Sequence, residues 1–249
     1  MENVELEKII NNFLQTHLYR DFSPNGLQVE GKKEIKKIVT GVTACQLLLD
    51  EAVKLNADAI LVHHGYFWKN EPVTITGIKA KRIRTLLANN INLFAYHLPL
   101  DGHDVLGNNA LLAENLGIVV DKRNDLTDLL FQGALIEPIS AIQFKENIEQ
   151  NLGHSVLFCN ENAPNIIKRV AWCSGGGQDY LEEAALQGVD AFFTGEVSER
   201  TIHIAREYGI NFYAAGHHAT ERYGIKALGL WLAKHYDFEV CFIDIDNPA

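Results

Sequence analysis

Apolar residues recur along this chain with two different periods. Residues 4–18 place apolar side chains, among them Leu6 and Ile10, at helical spacing, which predicts an amphipathic helix. Beyond them, short apolar runs that predict buried strands alternate with helical patterns. Strands are predicted at 38–43, 59–63, 91–96, 170–173, 191–194, 211–215 and 238–243, and helices at 46–55, 78–90, 108–116, 142–152, 180–187, 198–208 and 221–235. The alternation predicts an α/β fold with mostly parallel sheets.

The second half of the chain resembles the first. A shift of 132 residues brings Asp58 onto Asp190, and a shift of 120 residues brings His97 onto His217. Packing alone does not fix polar residues of this kind, so the matches predict an internal duplication. Chance similarity between two strand–helix–strand units is the alternative.

The repeat also predicts how the chain divides. We expect a first α/β lobe at residues 1–125 and a second at residues 166–249. Residues 126–165 have no counterpart in the repeat and are predicted to form a connector packed on the lobes, because their apolar side chains need burial.

Composition narrows the class of protein. The 249 residues are 47% hydrophobic and 22% charged, which is typical of a folded globular chain. The formal net charge of −10 disfavours general binding to nucleic acid, whose phosphates it repels. The four cysteines lack a Cys-x-x-Cys spacing, and the sequence shows neither a signal peptide nor an apolar run long enough to span a membrane. We therefore expect a soluble cytoplasmic protein.

Two adjacent histidines stand at the end of a predicted strand. His63 and His64 follow the apolar residues of strand 59–63 and would reach the carboxyl edge of the sheet, where α/β proteins place ligands. Neighbouring strand residues point to opposite faces, so the pair suits two metal ions better than one unless the strand end twists. An ordinary polar loop is the alternative.

Two further clusters follow predicted strands in the same way. His97 precedes Asp101 by four residues, and His217 precedes Glu221 by four. Pro99 is expected to keep the first cluster from forming a regular helix. In a duplicated fold these strand ends can converge.

The clusters together supply more ligands than one metal needs. The candidate ligands are His63, His64, Asp101, His217 and Glu221, with His97 and His218 in reserve. Five ligands exceed one open tetrahedral site and fit two divalent ions that share a bridging carboxylate. Zinc, iron, manganese and cobalt all accept imidazole and carboxylate ligands. Two such ions activate water and polarise a substrate oxygen, which is typical of hydrolases.

Three other segments carry weaker signals. The loop 174–177, Ser-Gly-Gly-Gly, is either a tight turn or a cradle for an anion. Glu196 occupies the repeat position of His64 and is either a turn residue or a group supporting the site. The aromatic residues 66–68 either pack in the core or form a wall for a planar ring.

Five separated motifs give the chain a family resemblance that covers nearly its whole length. They are Pro24-Asn-Gly-Leu-Gln-Val-Glu-Gly31, Val62-His-His-Gly65, His97-Leu-Pro-Leu-Asp101, Thr194-Gly-Glu196 and Gly216-His-His-Ala-Thr-Glu221. In these motifs the chain resembles the GTP cyclohydrolase I type 2 homologue family, also called the Nif-three-like family.

The resemblance carries expectations about architecture. It implies two similar, intertwined three-layer α/β/α lobes with a dinuclear metal centre between them. It also implies a ring-shaped homohexamer whose metal sites face the interior. The metal ligands that it implies are His63, His64, Asp101, His217 and Glu221, with Glu221 bridging.

These features favour a metal-dependent hydrolase of the cyclohydrolase type. Water activated by metal would attack an electron-poor ring carbon of a nucleotide-like or cyclic amide substrate, with His97 or His218 carrying protons. A metal-binding or metal-chaperone protein without turnover is one alternative. A ring-shaped protein associated with nucleic acid is another, and the net charge disfavours it.

Overall fold

The computed structural model describes residues 1–123 and 125–249. They form two compact units. Unit 1 comprises Met1–Leu100 and Gly224–Asp246, and unit 2 comprises Asp101–Tyr223 and Asn247–Ala249. None of the helices described in either unit is both long enough and apolar enough to cross a membrane.

Strands and helices alternate along most of the chain. The strands are β1 Gly26–Val29, β2 Lys37–Thr43, β3 Ala59–His64, β4 Asn92–Ala95, β5 Ile118–Val120, β6 Phe131–Ser140, β7 Leu157–Cys159, β8 Ile166–Cys173, β9 Ala191–Thr194, β10 Asn211–Ala214 and β11 Glu239–Phe242. The α-helices are α1 Asn3–Phe13, α2 Gln46–Lys54, α3 Gly77–Ala88, α4 Leu98–Gly102, α5 Asn108–Leu116, α6 Ala141–Leu152, α7 Leu181–Leu186, α8 Glu199–Tyr208 and α9 His217–His235. Short 3₁₀ turns occupy Thr16–Leu18 and Gln178–Tyr180.

Unit 1 is built on a five-stranded sheet with the order β1-β4-β3-β2-β11. Strand β1 is antiparallel to β4, and the other neighbours are parallel. Alternate residues of β3 enter different cores: Leu61 packs with α1 and the last turns of α9, whereas Ile60 packs with α2 and α3. The alternation follows from the two-residue period of a strand and gives this unit helices on both faces of its sheet.

Unit 2 is built on a six-stranded sheet with the order β5-β6-β8-β9-β10-β7. Strands β8, β9 and β10 are parallel neighbours, and the outer pairings are antiparallel. Phe193 of β9 packs with α5 and α6, whereas its neighbour Phe192 packs with α7 and α8. This sheet too is covered by helices on both faces.

A buried polar arrangement orders the strand starts in unit 1. The Asp58 carboxylate, just before β3, accepts the backbone N–H groups of Lys36 and Lys37 at 3.0 Å each. The Asn92 side chain at the start of β4 donates to the Asp58 carbonyl at 3.0 Å and is completely buried. These hydrogen bonds therefore tie the three strand starts together.

The same arrangement recurs in unit 2. The Asp190 carboxylate, just before β9, accepts the backbone N–H groups of Lys168 and Arg169 at 2.9 and 2.8 Å. The buried Asn211 side chain at the start of β10 donates to the Asp190 carbonyl at 3.1 Å. The strand order β1-β4-β3-β2 of unit 1 likewise corresponds to β7-β10-β9-β8 of unit 2. Both correspondences agree with the predicted duplication, which remains a prediction.

Several details differ from the sequence prediction. The sheets are mixed rather than uniformly parallel: among the described residues five of the nine strand pairings are parallel, in agreement with the predicted mostly parallel sheets, and four are antiparallel. Helix α9 begins at His217 rather than residue 221, and Thr220 lies inside it with its hydroxyl donating to the Gly216 carbonyl. The cluster after β4 does form a helix, α4, because Pro99 lies in its first turn, where no amide donor is needed.

The units are also assigned along the chain differently from the predicted lobes. Strand β11 pairs in parallel with β2, so residues 224–246, predicted within the second lobe, lie in unit 1. The predicted connector 126–165 supplies β6, α6 and β7 to unit 2. Hydrogen bonding between strands distant in sequence determines both assignments.

Replacement of Asn92 by Ala should destabilise the protein more than replacement of Asn211. Asn92 accepts from Asn3 and Gly31 and donates to two carbonyls, whereas the Asn211 side chain makes two described hydrogen bonds, both as a donor. Each variant should lose about 1–3 kcal/mol of unfolding free energy in urea, because buried partners are left unsatisfied. Asn70→Ala, at an exposed turn, is the control and should change little. An equal or larger loss for Asn211→Ala would contradict this account.

Candidate metal centre

Strand β3 delivers two imidazole rings together. His63 is completely buried and its ring centroid lies 4.5 Å from that of His64. Adjacent strand residues normally point to opposite faces, but His64 is the last residue of β3, where the pleat ends. The two rings can therefore bind one common metal ion or two neighbouring ions.

The hydrogen bond of His63 fixes the position of its lone pair. Its Nδ1 lies 2.9 Å from the Tyr96 carbonyl oxygen, which can only accept a hydrogen bond. Nδ1 therefore carries the proton of the neutral ring, and Nε2 carries the lone pair that a metal needs. The Nδ1 of His64 lies 3.2 Å from the Thr43 hydroxyl. The Nε2 of His64 therefore lies on the side of the ring away from Thr43 and is the nitrogen available to a metal.

A carboxylate holds His97 in the same way. Asp21 Oδ1 lies 2.7 Å from His97 Nδ1, and Asp21 Oδ2 accepts the Leu98 N–H and the Asn25 side-chain amide at 2.9 Å each. The Asn25 side-chain oxygen in turn accepts the His97 backbone N–H at 2.8 Å. Burial by itself would raise the pKa of Asp21, but the hydrogen bond and charge of His97 hold that pKa below its usual value.

The three rings form a candidate metal-binding group within unit 1. His63, His64 and His97 each offer one ligand atom, and these atoms lie within 4.8 Å of one another. The site residues predicted from unit 1 are thus brought together, and His97 belongs to the same cluster.

Asp101 is the first predicted ligand in unit 2. Its side chain is 4% exposed, and its Oδ1 accepts from the Ser174 hydroxyl at 2.8 Å and from the Asn108 amide at 2.9 Å. Two donors on one oxygen orient the carboxylate rigidly.

His217 lies between two carboxylates. Its Nδ1 is 2.6 Å from Glu196 Oε1, and its Nε2 is 3.0 Å from Oε2 of the buried Glu221. Burial alone would lower the pKa of His217, but the hydrogen bonds and charges of Glu221 and Glu196 raise it to about 9. In the metal-free protein a proton therefore balances these carboxylates near neutral pH.

The glycine loop after β8 lets backbone approach these ligands. A Cβ on Gly175 would lie 2.8 Å from Glu221 Cδ and 3.0 Å from His217 Nε2, and its φ of +60° favours glycine. Two of the loop's amides, those of Gly175 and Gly177, donate to the Thr220 and Thr194 hydroxyls. The loop serves as a turn around the ligands, and these amides are not directed at an anion.

The remaining candidates lie in different surroundings. His218 is 9% exposed, and no group of three candidate ligands among the described residues contains it. The Tyr66 hydroxyl donates to the Ala44 carbonyl in the core, so Tyr66 forms no ring-binding wall. Trp68 instead contacts the site, with its ring edge-on to His97 at 4.9 Å between centroids.

Among the groups that support the candidate ligands, only Glu196 carries a signal in the sequence. Glu196 matches His64 in the repeat, whereas no pattern in the sequence marks Asp21. Ser174 and Asn108 contact Asp101 across distances in sequence that no local pattern reveals.

The donor set defines the chain as a candidate metalloprotein with an α/β fold. The family model Duf34/NIF3 (NGG1p interacting factor 3) matches residues 1–248, and the chain belongs to this family. It is 60% identical over 249 residues to a GTP cyclohydrolase 1 type 2 homolog of Yersinia pestis and 57% identical to one of Escherichia coli K12, each covered completely.

Two solved structures are similar to the chain over its whole length. The structure of protein ybgI matches with a TM-score of 0.97 at 57% identity, and that of TTHA1606 from Thermus thermophilus with 0.90 at 32%. Both matches cover 100% of each chain. The predicted family membership is confirmed.

Gly175→Ala should weaken metal binding through the clash of its new methyl group with Glu221. Divalent-metal affinity should fall about 10–100-fold, as when a group supporting a ligand is lost. Gly188→Ala is the matched control, since Gly188 also has a positive φ, +74°, but a Cβ there meets nothing within 4 Å. Metal titration of both variants decides the point, and equal effects would show that backbone strain alone is responsible.

Metal affinity should rise with pH between 7 and 9. Below about 9 the His217 ring of the metal-free protein holds a proton that the metal must displace. Each pH unit should therefore add about tenfold to the apparent affinity from this residue alone. Glu196→Gln removes one charge that raises this pKa and should flatten the dependence. Competition with a chelator at several pH values measures it, and a flat profile in the wild type would exclude His217 as a ligand.

Proposed function

We propose that this chain is a dinuclear-metal-dependent hydrolase of the GTP cyclohydrolase I type 2 homologue type. The proposed ligands are His63, His64, Asp101, His217 and Glu221, with Glu221 bridging two divalent ions. Zinc, iron, manganese and cobalt are the candidate metals. The ring-shaped homohexamer remains a prediction from the family resemblance.

One observation carries the metal assignment. The Nδ1 atoms of His63 and His217 each face an oxygen that accepts, namely the Tyr96 carbonyl and the Glu196 carboxylate. That contact holds the ring with Nε2 as the ligand atom and raises its basicity, as the partners of metal-binding histidines commonly do.

The buried carboxylates give a second support. Asp101 and Glu221 are 4% and 3% exposed, and buried carboxylates are costly without a compensating positive charge. A divalent ion supplies more compensation than the single proton on His217. The residues present therefore fit divalent metal.

The chemistry that follows is hydrolysis. Divalent ions supply Lewis acidity and activated water at neutral pH. His97 and His218 are the candidates for moving protons between the reacting groups. Trp68, beside His97, offers an aromatic edge to a planar substrate. The names of the relatives agree with a nucleotide-like or cyclic amide substrate.

Metal analysis combined with a substrate screen tests the proposal. Wild-type protein reconstituted with zinc or manganese should bind two ions per chain and hydrolyse a member of a panel of cyclic amides, purine nucleotides and phosphoesters. Glu221→Gln should lose more metal than Asp101→Asn, because a bridging carboxylate neutralises both ions and a terminal one neutralises a single ion.

The outcomes separate the alternatives. A stoichiometry of one ion at saturating metal would overturn the dinuclear centre. Two ions without turnover on any substrate class would favour the metal-binding protein over the hydrolase. Equal, small metal losses for the two variants would show that Glu221 does not bridge.

A further inference from the structure

We propose that Pro248, Ala249 and the His154 side chain form a clamp that positions the proposed metal ligand His217. The inference rests on the metal centre proposed above, since His217 is one of its ligands. All the residues of the clamp belong to unit 2. The segment Asn247–Ala249 is assigned to this unit although Gly224–Asp246, directly before it, is assigned to unit 1.

Ala249 caps the helix that begins with His217. The first turn of an α-helix leaves backbone N–H groups without acceptors inside the helix. Gly216, which precedes α9, has no side chain that could accept from these groups. The backbone oxygen of Ala249 accepts the His218 N–H at 3.1 Å. A segment remote in sequence therefore supplies α9 with the kind of acceptor that the Ser140 side chain supplies to α6.

The His154 side chain connects Pro248 with the turn before His217. Its Nε2 lies 3.0 Å from the Pro248 carbonyl oxygen, which can only accept a hydrogen bond, so Nε2 donates. The same ring packs against Gly216, where a Cβ would lie 3.0 Å from His154 Cε1 and where φ is +93°. Glycine at position 216 is needed for both the backbone conformation and the close contact with the ring.

The clamp holds both neighbours of His217 along the chain, Gly216 and His218. Glu196 orients the His217 ring through Nδ1 at 2.6 Å, but it does not fix the backbone from which the ring projects. Metal–ligand distances tolerate a change of only about 0.2 Å. A small displacement of this backbone would therefore move Nε2 of His217 out of binding distance, and the clamp prevents it.

Cobalt binding to two variants tests the proposal. Deletion of residues 247–249 removes both contacts of the clamp, whereas His154→Phe keeps a ring against Gly216 and removes the hydrogen bond to Pro248. Each change should lower the apparent Co²⁺ affinity about 10–100-fold in equilibrium dialysis, as the loss of a group that supports a ligand does. The visible spectrum of bound Co²⁺ should also change, because it reports the geometry of the ligands.

Two control variants separate positioning from a general loss of stability. His235→Phe removes a histidine that also contacts a backbone carbonyl, that of Trp231 at 2.8 Å, but in the last turn of α9. That turn lies about 27 Å along the helix from His217. Ala249→Gly keeps the backbone acceptor of the clamp. Both controls should bind Co²⁺ with the affinity and spectrum of the wild type, and circular dichroism checks that every variant folds.

The outcomes distinguish this inference from the proposed function. Two ions in the wild type, with wild-type Co²⁺ affinity in both clamp variants, would overturn the clamp and leave the dinuclear hydrolase standing. An equal affinity loss in His235→Phe would also overturn the clamp, because the effect would then be a general one. No Co²⁺ bound by the wild type would refute both the clamp and the proposed function.

Discussion

The candidate metal centre depends on one constraint, the direction of the imidazole lone pair. A neutral imidazole binds metal through the nitrogen that carries no proton, so its other nitrogen must donate to an oxygen. The rings are oriented from three sources: the Tyr96 carbonyl just after β4 for His63, the Thr43 hydroxyl for His64, and the carboxylates of Asp21 and Glu196 for His97 and His217. The folded protein thus orients the rings without a metal, although His217 of the metal-free protein still carries a proton that a metal would have to displace.

Two glycines allow the turns of unit 2 to pack closely against the candidate ligands. Gly195 allows the turn after β9 to approach the start of α9, where a Cβ would lie 2.7 Å from the His217 Cα. Gly175 allows the neighbouring turn to approach Glu221. The glycines of these loops therefore allow the backbone to approach the candidate ligands closely. The buried carboxylates at the site need a positively charged partner.

The two units use similar scaffolds with different side chains at the strand ends. Asp58 and Asp190 make the same bonds to strand-start amides. At the carboxyl ends of the central strands, however, His64 in unit 1 corresponds to Glu196 in unit 2 in the sequence repeat. The first is a proposed ligand and the second supports one. The hydrogen bonds that hold the strand starts recur in both units, whereas the side chains at the strand ends differ.

The sequence by itself determined the α/β class, most helix and strand positions and the candidate ligands, because hydrophobic period and strand-end histidines are local signals. Helix α5 and strand β9 were predicted with the bounds that the structure has. Only the tertiary structure decided that β11 pairs with β2, and that Asp21 and Glu196 support His97 and His217. These contacts join residues far apart in the chain, and their geometry arises only when the sheets form.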